Sequence, residues 1–502
     1  MRHISANIIT ITGRATTTNT TMMMLFKMIM MMSTMPTWLV SLLLLSIGEL
    51  DRPGAVNSNR QTTFHVAPMQ GYTNTPVRQL LRALSSSSAS PSSSVSIKLW
   101  TEMEKVVDLM DTDERGLDKR FLVHTNHDRF SNDNNDSGSY VLQLGGNDPD
   151  MIRHCLQDRI LSRPYPISEV NLNCGCPSIE TGGANTYGAS LMKQPDLVQR
   201  LVAAVRETVP DSVRVSVKCR IGICETVEDL LPSSLPVDHD NDYSRGLYRF
   251  IESCMDGGID HVVLHARPAV LAGLNPTKNR IVPELQYDVV HQVVQDFGSK
   301  VDVTLNGGIQ NLDMFHDLIK TEAIKKKKKK KNDNNGASLD SFMAGRWILR
   351  RPLDLVFIGQ TVNMDCSDST SRTATAIGTS PCDDIMVEAL RNYGSFIEQS
   401  LRTKNKPLHT IAELCLPLYL VLEQVREDDD DDDDMENGVD GLVDVFDAVL
   451  DNVIFLLEYT GKISKAKVPG HGSLACKKLT TCIKMLVGNK VLNKWKKNRT
   501  EL

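Results

Sequence analysis

The sequence predicts a (β/α)8 TIM barrel followed by a C-terminal helical domain, an α/β fold class that rests on three observations. Short apolar, β-branched runs recur eight times between residues 65 and 344, and a stretch of helical spacing follows each but the last. Each run ends in polar or glycine-rich residues, which is how the catalytic face of a barrel reads. A doubly wound sheet, the alternative, would concentrate such residues near one switch point. From about Asp383 onward only helical periodicity remains.

The predicted strands are His65–Met69, Ile97–Thr101, Tyr140–Leu144, Glu169–Asn173, Arg214–Lys218, His261–His265, Val301–Leu305 and Phe342–Ala344. Their β-branched and aromatic side chains suit a pleated, packed surface. Pro195 to Thr208 and Leu285 to Phe297 space their apolar residues as amphipathic helices do, and so do Asp384 to Leu401, Pro407 to Val425 and Val439 to Leu457. The chain thus divides into a leader over 1–60, a barrel over 61–382, a helical domain over 383–460 and a basic tail over 461–502.

Four segments are low in complexity: Ser85 to Ser94, Thr125 to Gly138, the seven lysines Lys325 to Lys331, and the seven aspartates Asp428 to Asp434. Such stretches bury no apolar area and read as surface loop insertions. The net charge of −6 taken alone argues against a nucleic-acid partner. The aspartate run supplies more than that whole deficit, whereas residues 461–502 carry ten Lys and one Arg against Glu501. Asymmetry, not the total, is the useful quantity.

Eleven cysteines without regular spacing suit reduced thiols. Cys174 and Cys176 form a C-x-C pair, but no second pair stands at zinc-site spacing, so no structural metal is expected. The first acidic residue is Glu49; before it come Arg2, Arg14, Lys27, many Thr, a Met-rich run and the apolar stretch Trp38 to Leu45. An acid-poor, hydroxyl-rich leader suits a transit peptide, and the apolar stretch alternatively reads as a signal h-region; both leave cytoplasm and organelle open. The stretch is short for a stable membrane span.

The strand ends carry the chemistry. Asn306-Gly307-Gly308 and Gly345-Arg346 follow the seventh and eighth strands, the common phosphate-binding position in barrels, where bare N–H groups approach an anion. Lys218 and His265 close the fifth and sixth strands; a cation and an imidazole there suit an electron-rich ring that becomes anionic on reduction. Cys176 lies on a Gly/Pro-shaped loop past the fourth strand and can act as nucleophile or general acid. Cys174 and Cys219 read as packing residues.

Six motifs occur in order: Val66-Ala67-Pro68-Met69, Leu142-Gln143-Leu144-Gly145-Gly146, Asn171-Leu172-Asn173-Cys174-Gly175-Cys176-Pro177-Ser178, Val217-Lys218-Cys219-Arg220-Ile221-Gly222, Leu264-His265-Ala266-Arg267 and Asn306-Gly307-Gly308. Together, from about His65 to Ile358, they resemble the tRNA-dihydrouridine synthase family. Leu274-Asn275-Pro276-Thr277-Lys278-Asn279-Arg280 resembles the branch that acts on D-loop positions 20 and 20a. The resemblance implies FMN held by Ala67, Pro68, Met69, Gln143, Lys218, His265, Asn306, Gly307, Gly308, Gly345 and Arg346. It implies Cys176 as proton donor, and Asn173, Lys278, Asn279 and Arg280 facing tRNA. It further implies NADPH as the reductant and a tRNA-binding role for the helical domain. Three features depart from that branch: no arginine cluster stands around Lys406 to Leu420, lysines interrupt the approach to the last strand, and the tail is long and basic. The other readings are an FMN barrel reducing a small molecule, which has no use for a basic helical appendage, and a tRNA-binding chaperone without catalysis, against which the intact Cys176 and Lys218 speak. No protein partner follows from the sequence.

Overall fold

Eight parallel strands close into a barrel in the computed structural model, which describes residues 61–87, 95–122, 139–177, 187–230, 242–331, 337–358, 381–402, 407–430, 440–462 and 473–501. The strands are β1 (Thr62–Val66), β2 (Val95–Lys105), β3 (Tyr140–Gly145), β4 (Ile167–Cys174), β5 (Arg214–Arg220), β6 (Ile223–Cys224), β7 (His261–His265), β8 (Ala269–Val270), β9 (Asp302–Asn306) and β10 (Ser341–Ala344). The barrel order is β1-β10-β9-β7-β5-β4-β3-β2, and β6 pairs separately with β8. All eight predicted strands are present. Strand β1 ends three residues earlier than the pattern predicts, because Pro68 has no N–H to give to a ladder. The β6–β8 pair went unpredicted, since two-residue strands leave no periodic signal.

Alternation sorts the two faces of the barrel. Phe64, Leu142, Leu172, Val217, Leu264 and Leu305 point outward into the main core shared with the helices. Ala67, Trp100, Val141, Val263 and Met343 form a separate small cluster inside. Each buried side chain of this size contributes about 1.5–3 kcal/mol. The rest of the interior is polar: His65, Glu169, Asn171, Ser216, His261 and Thr304 are all buried. Barrel interiors are usually filled by bulky branched side chains, so these polar residues call for a reason.

The helix Pro195–Thr208 matches its prediction, with Pro195 at the first turn and Val198, Leu201, Val202 and Val205 buried. The helix predicted from Leu285 starts at Tyr287. Beyond the barrel, helices span Pro381–Leu401, Ile411–Asp430 and Asp440–Tyr459. They lie against the barrel: Lys119 pairs with Glu413 at 2.7 Å, and the Leu353 N–H donates to Gln424 Oε1 at 2.9 Å. The segment read as a tail contains two further helices, Ser473–Val487 and Asn489–Glu501. Its Trp495 packs on Tyr419 with ring centres 5.4 Å apart, and its buried Arg499 pairs with Glu427 at 2.7 Å.

The loop reading of the low-complexity segments is corrected in part: Ser85 to Ser87 close the helix Thr75–Ser87, and Asp428 to Asp430 close the helix Ile411–Asp430. The lysine run does not form a loop; it continues the helix Leu312–Lys331. Lysine is a good helix former, and cations are favoured at a helix C-terminus. Lys325 is anchored there by Glu322 at 2.8 Å. The leader, residues 88–94, 123–138 and 431–434 lie outside the described residues. Among the described residues no helix is long and apolar enough to cross a membrane, and no group of three His, Cys, Asp or Glu could hold a metal ion.

Candidate active site at the barrel mouth

Register gathers the predicted residues at the carboxyl ends of the strands. Asn173 stands opposite Lys218, Arg220 opposite His265, and His265 opposite Asn306. Past β9, Gly307 and Gly308 adopt φ of 105° and 82°, a region that favours glycine. A Cβ on Gly307 would lie 2.5 Å from Cδ2 of His265, so the bare backbone and the imidazole fit against each other. Tyr287 Oη donates to the Gly307 carbonyl at 2.7 Å, and Asn306 Nδ2 donates to the Met343 carbonyl at 3.0 Å. On the far side of β10, a Cβ on Gly345 would meet Met69 Sδ at 2.8 Å and Ala67 Cβ at 3.0 Å. The turn over Ala67, Pro68 and Met69 is closed by the Met69 N–H donating to Thr73 Oγ1 at 2.9 Å. Arg346 opens the short helix Arg346–Arg350.

Two cations at this mouth, Lys218 and Arg346, have no side-chain hydrogen bond or ion pair among the described residues. Burial, assisted by neighbouring Arg220, pulls the Lys218 ammonium down to about 8. Burial, then Arg220, Lys218, Arg267 and Arg280, hold His265 well below the usual imidazole range. His265 is therefore neutral at pH 7, with one N–H to give and one lone pair to offer. A mouth with this much uncompensated positive field is built for an anion.

The loop past β4 is held from three sides. Asn173 Oδ1 accepts the N–H groups of Gly175 and Cys176, both at 3.1 Å. Arg220 Nε donates to the Gly175 carbonyl at 3.2 Å, and the Ala189 N–H donates to the Cys176 carbonyl at 2.9 Å. Cys176 is half-exposed on this clamp. Cys174 lies on the outward face, fully buried, and burial together with neighbouring Cys219 pushes its thiol well above the ordinary range. Of the two thiols, Cys176 is the one with access to the mouth.

Gln143 is buried; its Nε2 donates to Asn171 Oδ1 at 2.8 Å, and its Oε1 accepts from Asn173 Nδ2 at 3.1 Å. The side chain of Asn173 is thus engaged in shaping the Cys176 loop. Lys278 is exposed and Arg280 half-buried, but Asn279 is fully buried. Its amide donates to the Val270 carbonyl at 2.9 Å and accepts the Val270 N–H at 2.8 Å. Asn279 fixes the loop that carries Lys278 and Arg280, and does not itself face outward.

The sequence reading passed over Arg220, whose Nη1 also donates to the Asn279 carbonyl at 3.1 Å and so ties this loop to the Cys176 loop. The signal was available, because Arg220 stands two residues past Lys218 and shares its strand face. Arg267 was likewise left without a role; it donates to the carbonyls of Ile281 and Pro283.

The model of the family described as dihydrouridine synthase (Dus) matches residues 65–411. A tRNA-dihydrouridine(20/20a) synthase from a Synechocystis species is 30% identical over 306 residues, covering 61% of this chain and 72% of that protein. The protein of the same name from Pseudomonas syringae pv. tomato is 32% identical over 269 residues, covering 54% and 67%. A solved 6-hydroxypseudooxynicotine amine oxidase from Pseudomonas geniculata aligns with a TM-score of 0.25 at 10% identity over 61% of this chain and 48% of its own, too little to carry an argument. The motifs at the strand ends and the match over residues 65–411 agree: the chain belongs to the dihydrouridine synthase (Dus) family.

Proposed function

We propose that this protein reduces the C5=C6 bond of D-loop uridine in tRNA, at position 20 or 20a, with FMN as bound cofactor and NADPH as reductant. The observation that carries the reading is the meeting, at one barrel mouth, of the cations Lys218 and Arg346, which have no side-chain partner among the described residues, with the clamped, half-exposed Cys176. The relatives named above as tRNA-dihydrouridine(20/20a) synthases support the substrate.

The residues fit FMN. The bare backbone of Gly307 and Gly308, with Arg346 beside β10, suits a phosphate. Ala67, Pro68, Met69, Gln143, Asn306 and Gly345 would line the ring and its chain, and Lys218 with His265 would face the part that gains electrons. FMN, when bound, supplies hydride equivalents derived from NADPH to C6 of the uracil ring. C5 must then gain a proton, and Cys176 donates it. Lys218 stabilises negative charge at the mouth while it remains protonated, below about pH 8. A uridine reaches such a mouth only after leaving its stack, which makes grip on the RNA backbone part of the task. Lys278 and Arg280 beside the mouth supply phosphate contacts, with Lys484, Lys490, Lys494, Lys496 and Lys497 exposed on the last two helices.

The test incubates the purified full chain with NADPH, FMN and an unmodified tRNA transcript, followed by nucleoside mass spectrometry. Gain of two hydrogens at a D-loop uridine is expected. Flavin turnover on small unsaturated substrates with none on tRNA would contradict the reading, and so would tRNA binding without reduction.

A further inference from the structure

The polar residues inside the barrel form one continuous chain of hydrogen bonds that converges on Glu169. At one end the Trp100 indole, which can only donate, gives its Nε1–H to His65 Nδ1 at 3.0 Å. His65 therefore carries its proton on Nε2, which donates to Ser341 Oγ at 3.1 Å. Ser341 Oγ shares a hydrogen bond with Thr304 Oγ1 at 2.5 Å, and Thr304 Oγ1 with His261 Nε2 at 2.7 Å. His261 Nδ1 donates to Glu169 at 2.9 Å.

A second arm reaches the same carboxylate from the opposite side. The N–H groups of Gly175 and Cys176 donate to Asn173 Oδ1, Asn173 Nδ2 to Gln143 Oε1, Gln143 Nε2 to Asn171 Oδ1, and Asn171 Nδ2 to Ser216 Oγ at 2.8 Å. The Ser216 hydroxyl closes the arm by donating to Glu169. Each amide spends its oxygen on the mouth side and its nitrogen on the Glu169 side. Turning any one of them over would set donor against donor.

We propose that Glu169 is a positioning residue for the reaction at the mouth: as the acceptor on which both arms end, it fixes the orientation of Asn171, Gln143 and Asn173, and through Asn173 the Cys176 loop. The carboxylate suits this role because it only accepts, whereas an amide or hydroxyl could be read either way. It stays ionised because, although burial alone would raise its pKa, the charge and hydrogen bond of His261 hold it far below the usual carboxylate range. A fully satisfied buried network of this kind specifies one arrangement, and breaking it at one link is felt along its length. The proposal rests on the assignment of Cys176 as proton donor.

The test compares Glu169→Gln, Ser216→Ala and their double variant with wild type, and uses Trp100→Phe, on the other arm, as control. Ser216→Ala removes a single buried oxygen and leaves the packing volume nearly unchanged, so it keeps the test valid if Glu169→Gln folds poorly. Expected for both single variants are faster amide hydrogen exchange at Cys176, a fall in kcat of about tenfold, and an unchanged KM for tRNA. The double variant should be no slower than the worse single one, since both cut the same arm. Trp100→Phe should lower Tm yet leave exchange at Cys176 as in wild type. Unchanged Cys176 exchange in Ser216→Ala, or additive losses in the double variant, would overturn the proposal. A wild-type protein that exchanges as expected but forms no dihydrouridine would instead overturn the proposed function, which keeps the two failures apart.

Discussion

Leu264 and His265 are consecutive residues of β7 with opposite surroundings. Leu264 is fully buried among the helices outside the barrel, while His265 faces the mouth among Lys218, Arg220, Arg267 and Arg280. The contrast repeats on β4, where Leu172 packs outward between Asn171 and Asn173, and on β5, where Cys219 packs outward between Lys218 and Arg220. One strand thus packs the core with one face and lines the mouth with the other, at a spacing of one residue. Substitutions on the two faces should therefore fail in different ways, and measuring both stability and turnover separates them.

The largest effect belongs to the mouth. Cys176→Ala should lose about 10²- to 10⁴-fold in dihydrouridine formation, the usual contribution of a general acid. Its Tm and its reduction by NADPH should stay near wild type, because neither needs an acid at the uridine. The outward thiol gives the reverse pattern: Cys174→Ala should cost about 1 kcal/mol of stability and leave the chemical step intact. If Cys176→Ala oxidises in a single turnover with tRNA as fast as wild type while Cys174→Ala does not, the assignment of the two faces at β4 is wrong.

Leu264→Ala should cost about 2–5 kcal/mol by leaving a cavity between barrel and helices, with turnover per folded molecule preserved. Chemical denaturation alongside active-site titration would check this. A loss of turnover in the fully folded fraction would mean that the outer face also governs the mouth.

The pH dependence of anion binding is a smaller effect. Burial disfavours the charged ammonium of Lys218, so its proton leaves from about pH 8 upward. Affinity for FMN should be level below that pH and fall by up to tenfold per unit above it. Because a bound anion pulls the ammonium value back up, the saturated protein should lose its ligand only at higher pH. Lys218→Met should bind weakly at all pH values and show no such break; a break that survives in this variant would assign it to another group.

The smallest effect is on the last two helices. Replacing Lys494, Lys496 and Lys497 with Ala should make the dependence of log affinity for tRNA on log salt shallower by about 2. This triple substitution serves better here than truncation, because buried Arg499 and half-buried Trp495 of the same segment pack against the core. An unchanged slope in isothermal titrations would remove these lysines from the RNA contact.

The barrel was legible because its strands alternate with helices and end in polar motifs, features that local pattern alone carries. The half-roles of single residues were less so. Asn279 sits in a basic loop and reads as a surface contact, yet its amide turns inward to Val270. The lysine run reads as a solvated loop, but the preceding helix had no signal to stop it before Lys331. The interior chain from Trp100 to Cys176 was invisible for a different reason. Its members come from strands β1 to β5, β7, β9 and β10, and which of them meet depends on the stagger of the closed barrel, a property of no single segment.

We propose that the inner rim of this barrel is built for an anionic, electron-rich ring. The most direct measurement is the visible absorption spectrum of the purified full chain, before and after incubation with FMN, with the supernatant of heat-denatured protein examined alongside. The two absorption bands of a bound flavin are expected, with release of the flavin, without covalent attachment, on denaturation. A well-folded protein that takes up no flavin even from excess FMN would contradict it.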